Sequence, residues 1–198
     1  MSAFCKIDLI WTMPSDVFDK FVRKCSQDSR VLVIPHGLAY LARTQRPDGS
    51  WLPLWFGNQY APNDENPTYG TARVLAAYRD LDMMKSEPAR RGVSWLLAAQ
   101  NADGGWGGAK GVPSSIEETA LAVEILLDAP PQAAEAVNKG LAWLVEQVEA
   151  GGLHNPTPIG FYFAKLWYFE KLYPIIFTVA ALGRARRKLS TGHDHSGG

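Results

Sequence analysis

One pattern limits this chain more than any other feature, because it occurs twice without a gap: Gly-x-x-aromatic-Leu-x-x-x-Gln-x-x-Asp-Gly-x-Trp. It runs from Gly37 through Tyr40, Gln45, Asp48 and Gly49 to Trp51, and again from Gly92 through Trp95, Gln100, Asp103 and Gly104 to Trp106. A third stretch, Gly140-Leu-Ala-Trp-Leu-Val-Glu-Gln147, keeps the helical half with its Gln one place early and loses the rest. The leading glycines lie about fifty residues apart, room for two helices and two loops per repeat. A helical hairpin of this kind cannot bury its apolar face alone, so successive hairpins must stack into a curved layer or a ring. In the turn, Asp and Gly supply the geometry after a helix, and Trp can fold back onto the Gln amide. That amide is then available to an orphan helix-end group. Gln45, Trp51, Gln100 and Trp106 therefore read as structural pieces.

The remaining segments also read as helices. Val74, Tyr78 and Leu81 share a face in Thr71 to Leu81. Ser86 is placed to cap a helix carrying Pro88 in its first turn and continuing to Gln100. Ser115-Ile-Glu-Glu118 is a capping-box pattern opening a helix from Ile116 to Leu127, which Pro130-Pro131 ends. Another helix is expected to about Glu149, stopped by Gly151-Gly152. After a turn at Asn155-Pro-Thr-Pro158, an aromatic helix is expected from Ile159 to Tyr173, with Pro174 separating it from a last helix ending near Arg187. No alternating strand pattern extends beyond Val31–Ile34. The expected class is all-α, a partial toroid of helical hairpins.

Composition removes several functions. Lys plus Arg and Asp plus Glu are 20 each, so the chain lacks the positive surplus that a nucleic-acid groove needs. Cys5 and Cys25 are too few for a disulfide framework or a cysteine-rich zinc site. His193 and His195 lie in a Ser/Gly-rich tail that reads as solvated, so neither a metal nor a cofactor is expected. The N-terminus has no basic region leading into a long apolar run, and no run of eighteen apolar residues occurs. A cytoplasmic location is the expectation. Against that ordinary background the 7 Trp, 7 Tyr and 8 Phe are plentiful, and they cluster.

The Gln-x-x-Asp-Gly-x-Trp repeats resemble the Gln-Trp motifs of the squalene cyclases, the triterpene cyclases that include squalene–hopene cyclase and oxidosqualene cyclase. Gly49-Ser-Trp51, then Trp55, then Tyr69-Gly-Thr71, is similar to a series in that family. Ser114-Ser-Ile-Glu-Glu-Thr-Ala-Leu-Ala-Val resembles its Ser-Gln-Thr-Ala helix start. The stretch from Gly160-Phe-Tyr-Phe to Ala181-Leu-Gly-Arg184 resembles its terminal aromatic helix. The resemblance divides the chain into residues 1–33 without a match, 34–188 as a helical-repeat domain, and 189–198 as a disordered tail. Within the unmatched part, Val17, Phe18, Phe21 and Val22 suggest a helix. The family's Asp-x-Asp-Asp acid is absent. Its nearest echo, Asp80-Leu-Asp82, lacks the adjacent second carboxylate, so the chain resembles the C-terminal part of a cyclase without its proton donor.

Cyclising a polyene needs a strong acid and then a wall that stabilises migrating positive charge without attacking it. Aromatic faces serve as that wall, each contributing about 0.5–2 kcal/mol, and an apolar cavity excludes the water that would quench the cation. The resemblance implies that Trp55 and Tyr69 are cavity or near-acid aromatics. Counting back from Pro174 puts Tyr162 and Phe169 on substrate-facing family positions, with Leu166 where a tyrosine is common. A one-residue shift selects Phe161, Lys165 and Tyr168 instead. Trp167 belongs to the same cluster, and simple core filling is open for each of these residues. Asp64-Glu65 could share a proton but has the composition of a surface loop. Glu117 and Glu118 read as first-turn residues facing the helix dipole.

Two functions follow, and a third is weaker. The first is the C-terminal part of a squalene-using, hopanoid-forming cyclase, dependent on a missing acid-bearing half, with membrane-surface contact in the complete enzyme. The second is a non-catalytic helical-repeat protein that binds apolar lipid. A glycan-active toroid would need paired acids along a polar groove. An incomplete ring also leaves apolar helix faces uncovered, from which self-association is expected.

Overall fold

The computed structural model describes residues 33–161 and 164–193. The suggested helix at Val17–Val22, both cysteines, Tyr162 and His195 lie outside the described residues. The chain divides into two compact units, residues 1–43 and 44–198. In the first, helix α1 (Val33–Thr44) carries the Arg43 guanidinium 5.5 Å from the Tyr40 ring centroid.

The second unit is built from α2 (Pro67–Asp80), α3 (Glu87–Ala99), α4 (Ile116–Leu126), α5 (Ala134–Glu149) and α6 (Tyr173–His193). Helix α4 packs between α2 and α6, while α3 lies against α2 and α5 against α4. This is one row of helices backed by a second row, the arc of an α/α toroid. Burial follows from the position in the arc. Helix α4 has neighbours on several sides and buries ten of its residues, polar ones included. Helix α2 buries Thr68, Thr71, Ala72, Leu75, Ala76 and Tyr78, whereas Val74 stays half-exposed, so its buried surface is wider than the expected stripe. No helix among the described residues is long and apolar enough to cross a membrane.

The repeat acts between hairpins. Asp48 accepts from the Ser50 amide at 3.0 Å and Asp103 from the Gly105 amide at 3.0 Å, closing two equivalent turns. Gly49 and Gly104 in these turns have φ of 97° and 93°, a region that glycine enters without strain. The Gln45 amide donates to the carbonyls of Gly49 and of Pro88, both at 2.9 Å. Gln100 does the same to Gly104 at 2.8 Å and Ala136 at 2.9 Å. Each Gln thus ties its own turn to the first turn of the next helix of the outer row. The Trp51 amide donates to Thr71 Oγ1 at 3.0 Å and the Trp106 amide to Thr119 Oγ1 at 2.8 Å, which fixes each turn to the following inner helix. A Cβ added at Gly92 would lie 2.7 Å from the Trp51 ring, and one at Gly140 would lie 2.7 Å from the Trp106 ring. The leading glycines of the second and third repeats are therefore the seats for the tryptophan of the repeat before, whereas a Cβ at Gly37 would meet nothing within 4 Å.

Two expectations fail. Residues 159–173 do not form an aromatic helix. Pro158–Phe161 (β2) and Leu166–Phe169 (β3) pair antiparallel, and Phe56–Gly57 (β1) adds to the other edge of β2. Aromatic side chains favour the pleated backbone, and Lys165, with φ of 49°, turns the chain between the strands. Helix α6 also runs past Arg187 to His193, taking in residues read as tail, and Pro174 lies in its first turn rather than between two helices. The cap positions are partly as expected. Ser115 accepts from the Glu118 amide at 3.3 Å, but Ser86 precedes α3 without a side-chain cap.

Candidate functional site

The strand register sorts the aromatic cluster. Phe56 pairs with Phe161, Gly57 with Gly160, Phe161 with Leu166, Ile159 with Tyr168, and Gly160 with Trp167. Paired residues point to the same side of a sheet and their chain neighbours to the other. Phe56, Phe161 and Tyr168 therefore share one face, and Trp167 and Phe169 the opposite one. On the first face the Phe56 and Phe161 rings stack with centroids 6.1 Å apart and Tyr168 lies 6.4 Å from Phe161. Tyr69, in the first turn of α2, completes the group 5.4 Å from Phe56. Asn66 places it, accepting the Tyr69 amide at 3.0 Å. Burial, together with Tyr173, Tyr69 and Glu170, raises the Tyr168 phenol above its ordinary range, so this ring presents a neutral face.

Among the described residues, the Arg73 guanidinium touches this wall. The Arg73 guanidinium, one turn along α2 from Tyr69, sits 5.7 Å from the Tyr69 centroid and 5.9 Å from that of Phe177 on α6. Phe177 stacks in turn on Tyr173 at 5.1 Å.

Of the residues singled out in the sequence, Tyr69, Phe161 and Tyr168 stand on the wall. Trp55 immediately precedes β1 and is 43% exposed. Trp167 and Phe169 are on the other face, where Phe169 lines a cleft of about 280 Å³ with Tyr60, Trp143, Asn58 and Thr157. Leu166 is exposed. Trp51 and Trp106 are fully buried. Phe56 and Phe177 were not singled out. Phe56 needed its pairing with Phe161 to be known, and Phe177 only the helical offset of four from Tyr173.

Of the carboxyl groups considered as acids, Asp82 is exposed and the other five are engaged by cations or hydrogen-bond donors. Asp64 pairs with Lys165 at 2.8 Å and Glu65 with Arg46 at 2.7 Å, so the two do not share a proton. Asp80 pairs with Arg79 at 2.8 Å. Glu117 and Glu118 lie in the first turn of α4, as read, and are buried there at 5% and 3% exposed. Glu118 Oε1 accepts from the amides of Asn66 at 2.9 Å and Asn58 at 3.2 Å, and its other oxygen takes the Ser115 hydroxyl. Glu117 accepts from the Thr157 amide at 2.6 Å and hydroxyl at 2.7 Å. Burial, and then the neighbouring Glu118, push the Glu117 carboxyl above the usual range. These two acids tie the loops before α2 and β2 to α4. Among the described residues no group of three or more His, Cys, Asp or Glu is placed to hold a metal ion.

The profile of the squalene–hopene cyclase C-terminal domain matches residues 14–187. The squalene–hopene cyclase of Bradyrhizobium diazoefficiens is 30% identical over 160 residues, 72% of this chain and 23% of that protein. The copalyl diphosphate synthase of Streptomyces cyslabdanicus is 32% identical over 140 residues, 68% of this chain and 23% of that one. In structure, the ent-copalyl diphosphate synthase of Streptomyces platensis superposes with a TM-score of 0.56 at 25% identity, covering 75% of this chain and 27% of that one. The chain thus spans about a quarter of the length of the relatives it matches.

Proposed function

The chain belongs to the squalene–hopene cyclase C-terminal domain family, and from that premise we propose that it supplies the aromatic wall of a cyclase cavity for a squalene-like polyene, without the acid that starts the reaction. One observation carries this reading: Phe56, Tyr69, Phe161 and Tyr168 come from β1, α2, β2 and β3 onto one surface with centroids 5.4–6.4 Å apart. Rings so placed offer several faces to one apolar chain. Each adds about 0.5–2 kcal/mol toward a passing carbocation, without a lone pair strong enough to trap it.

The chemistry this arc lacks is the first step. Protonating an alkene needs a carboxylic acid held neutral and free to give its proton to carbon. Asp64, Glu65, Asp80 and Glu118 are held by cations or hydrogen-bond donors. Burial and Glu118 raise the Glu117 carboxyl, yet both its oxygens are engaged by Thr157. We assign the acid to a further part of a complete cyclase, because the Asp-x-Asp-Asp motif is absent from this sequence.

The test has two readouts. Purified chain incubated with squalene is expected to give no cyclic product by gas chromatography and mass spectrometry, and any cyclic triterpene sinks the assignment of the acid elsewhere. Titration with an unreactive squalene analogue is expected to quench tryptophan fluorescence, with affinity lowered about tenfold by Phe161→Ala. Binding that is indifferent to Phe161→Ala and Tyr69→Ala removes the wall from the account.

A further inference from the structure

The third repeat uses its residues differently from the first two. Gln45 and Gln100 follow directly on the last residues of α1 and α3, five places after the aromatic of their repeat, and each bridges two carbonyls. Gln147 comes only four places after Trp143 and lies inside α5. That spacing sets the two side chains on one face of the helix, and the Asp-Gly-x-Trp turn that the amide would close is missing. Both are half-buried, and both line the cleft of about 280 Å³. The Gln147 amide and the Trp143 indole N–H have no hydrogen-bond partner among the described residues, nor have the Asn155 amide and the Tyr60 hydroxyl on the same cleft. We propose that this cleft binds one neutral sugar ring, stacked on its aromatic side chains and hydrogen-bonded by Gln147, Trp143 and Asn155.

The rim of the cleft is rigid. Pro113, Pro156 and Pro158 hold stretches of it at fixed φ. Asn58, Ser115 and Thr157 are already committed, the first two to Glu118 and the third to Glu117. A Cβ at Gly152 would stand 2.9 Å from the Gln147 carbonyl oxygen, so a bare glycine lets the loop after α5 close against that turn. The groups still open to a ligand are two amides, an indole N–H and a phenol. Tyr60 and Phe169, 60% and 55% exposed, add ring faces to that of Trp143.

A pyranose matches this set. Its C–H groups make an apolar face that lies on an aromatic ring, and each of its hydroxyls both donates and accepts, as the two amides do. The cleft is at the small end of ligand sites, which suits one ring and is too small to enclose a triterpene chain. Its lining includes no Lys, Arg or His, and the buried Glu117 and Glu118 stand behind Thr157 and Ser115, so an anion is disfavoured. A quaternary ammonium would use the rings and leave both amides without a partner. Phe169 lies on the sheet face away from Phe161 and Tyr168, so the site is separate from the aromatic wall and the proposal does not depend on that reading.

The test is titration of the isotope-labelled full chain with the methyl glycosides of glucose, galactose and mannose, followed at the tryptophan indole N–H resonances. Trp143→Phe identifies the Trp143 signal. The expected result is a saturable shift of that signal by at least one of the three, with millimolar affinity. Gln147→Leu is expected to weaken binding at least about fivefold and to keep the wild-type melting midpoint, whereas Gln100→Leu, which breaks a bridge between helices, lowers that midpoint. The octyl form of the sugar that binds, kept below its micelle concentration, separates two sources. Equal affinity points to a free sugar and a gain of about tenfold to the sugar of a lipid conjugate, and either result supports the site. No shift with any of the three up to about 100 mM, a tighter response to tetramethylammonium or inorganic phosphate, or binding indifferent to Gln147→Leu overturns the proposal. So does a midpoint lowered as far by Gln147→Leu as by Gln100→Leu.

Discussion

Gly140 lies where a methyl group has no room. An added Cβ would stand 2.6 Å from Val123 Cγ2 and 2.7 Å from the Trp106 ring, and neither neighbour is the loose end of a flexible side chain. Gly140→Ala is expected to destabilise the fold by about 1–3 kcal/mol through overpacking, read as a lower urea midpoint at unchanged slope. Glu117 allows a second expectation, with its sign fixed by linkage. Its folded-state pKa is raised by burial and by Glu118, so the unfolded chain releases the proton first. Its contribution is therefore complete below the ordinary glutamate pKa, about 4.3, and is lost as pH rises through the raised folded value. Glu117→Gln keeps groups able to bond Thr157 and should flatten the fall in stability above that pH, measured as Tm against pH. An unchanged slope would show that Glu117 is not its source. The sequence displayed Gly140 and Trp106 as members of one repeat pattern. That they touch was hidden, because the contact joins the end of one repeat to the start of the next.

Helices and strands differed in how openly their residues declared them. Helices α2 to α5 were legible because caps, prolines and apolar spacing agreed over many residues. The stretch from Ile159 to Tyr173 was not, since six aromatics in nine positions satisfy both a helical and a strand period. What decides it is Gly160, where a Cβ would fall 2.0 Å from the Leu166 carbonyl oxygen, closer than any side chain permits. Gly160→Val is accordingly expected to unpair β2 from β3 while sparing the α2–α4–α6 packing. Near-ultraviolet circular dichroism should lose its aromatic signal, with far-ultraviolet helicity retained. Thr119 gives a contrasting expectation. It accepts the Trp106 amide at 2.8 Å and returns its hydroxyl to the Trp106 carbonyl at 3.1 Å. Thr119→Val strands one buried donor, the Trp106 amide, while the Trp106 carbonyl keeps the Ser115 amide at 2.9 Å, and should cost about 1–3 kcal/mol in global unfolding. A loss below about 0.5 kcal/mol would mean that the turn is held by the Gln100 bridge alone.

The aromatic wall exists only when β1, α2, β2, β3 and α6 are all in place, so no local stretch of sequence could announce it. Tyr69 and Phe161 were within reach through resemblance, but Arg73 was not. Its place over Tyr69 and Phe177 follows from how α2 and α6 both pack on α4. That place matters for any cationic intermediate. A second positive charge bound about 6–7 Å from the guanidinium is opposed by about 2–3 kcal/mol at an effective dielectric near 20. Half-exposure and salt reduce this to about 1 kcal/mol. On the proposed reading of the wall, this cost is comparable to what one ring face contributes. Arg73→Met keeps an apolar stem over the rings and removes the charge. It is expected to tighten binding of a protonated amine analogue of a linear polyene about fivefold, while moving the uncharged polyene by less than about twofold. Tightening should shrink in high salt, because the wild-type penalty is itself screened. Equal gains for both ligands would assign the effect to packing, and a loss for the amine alone would place the cation away from Tyr69 and Phe177.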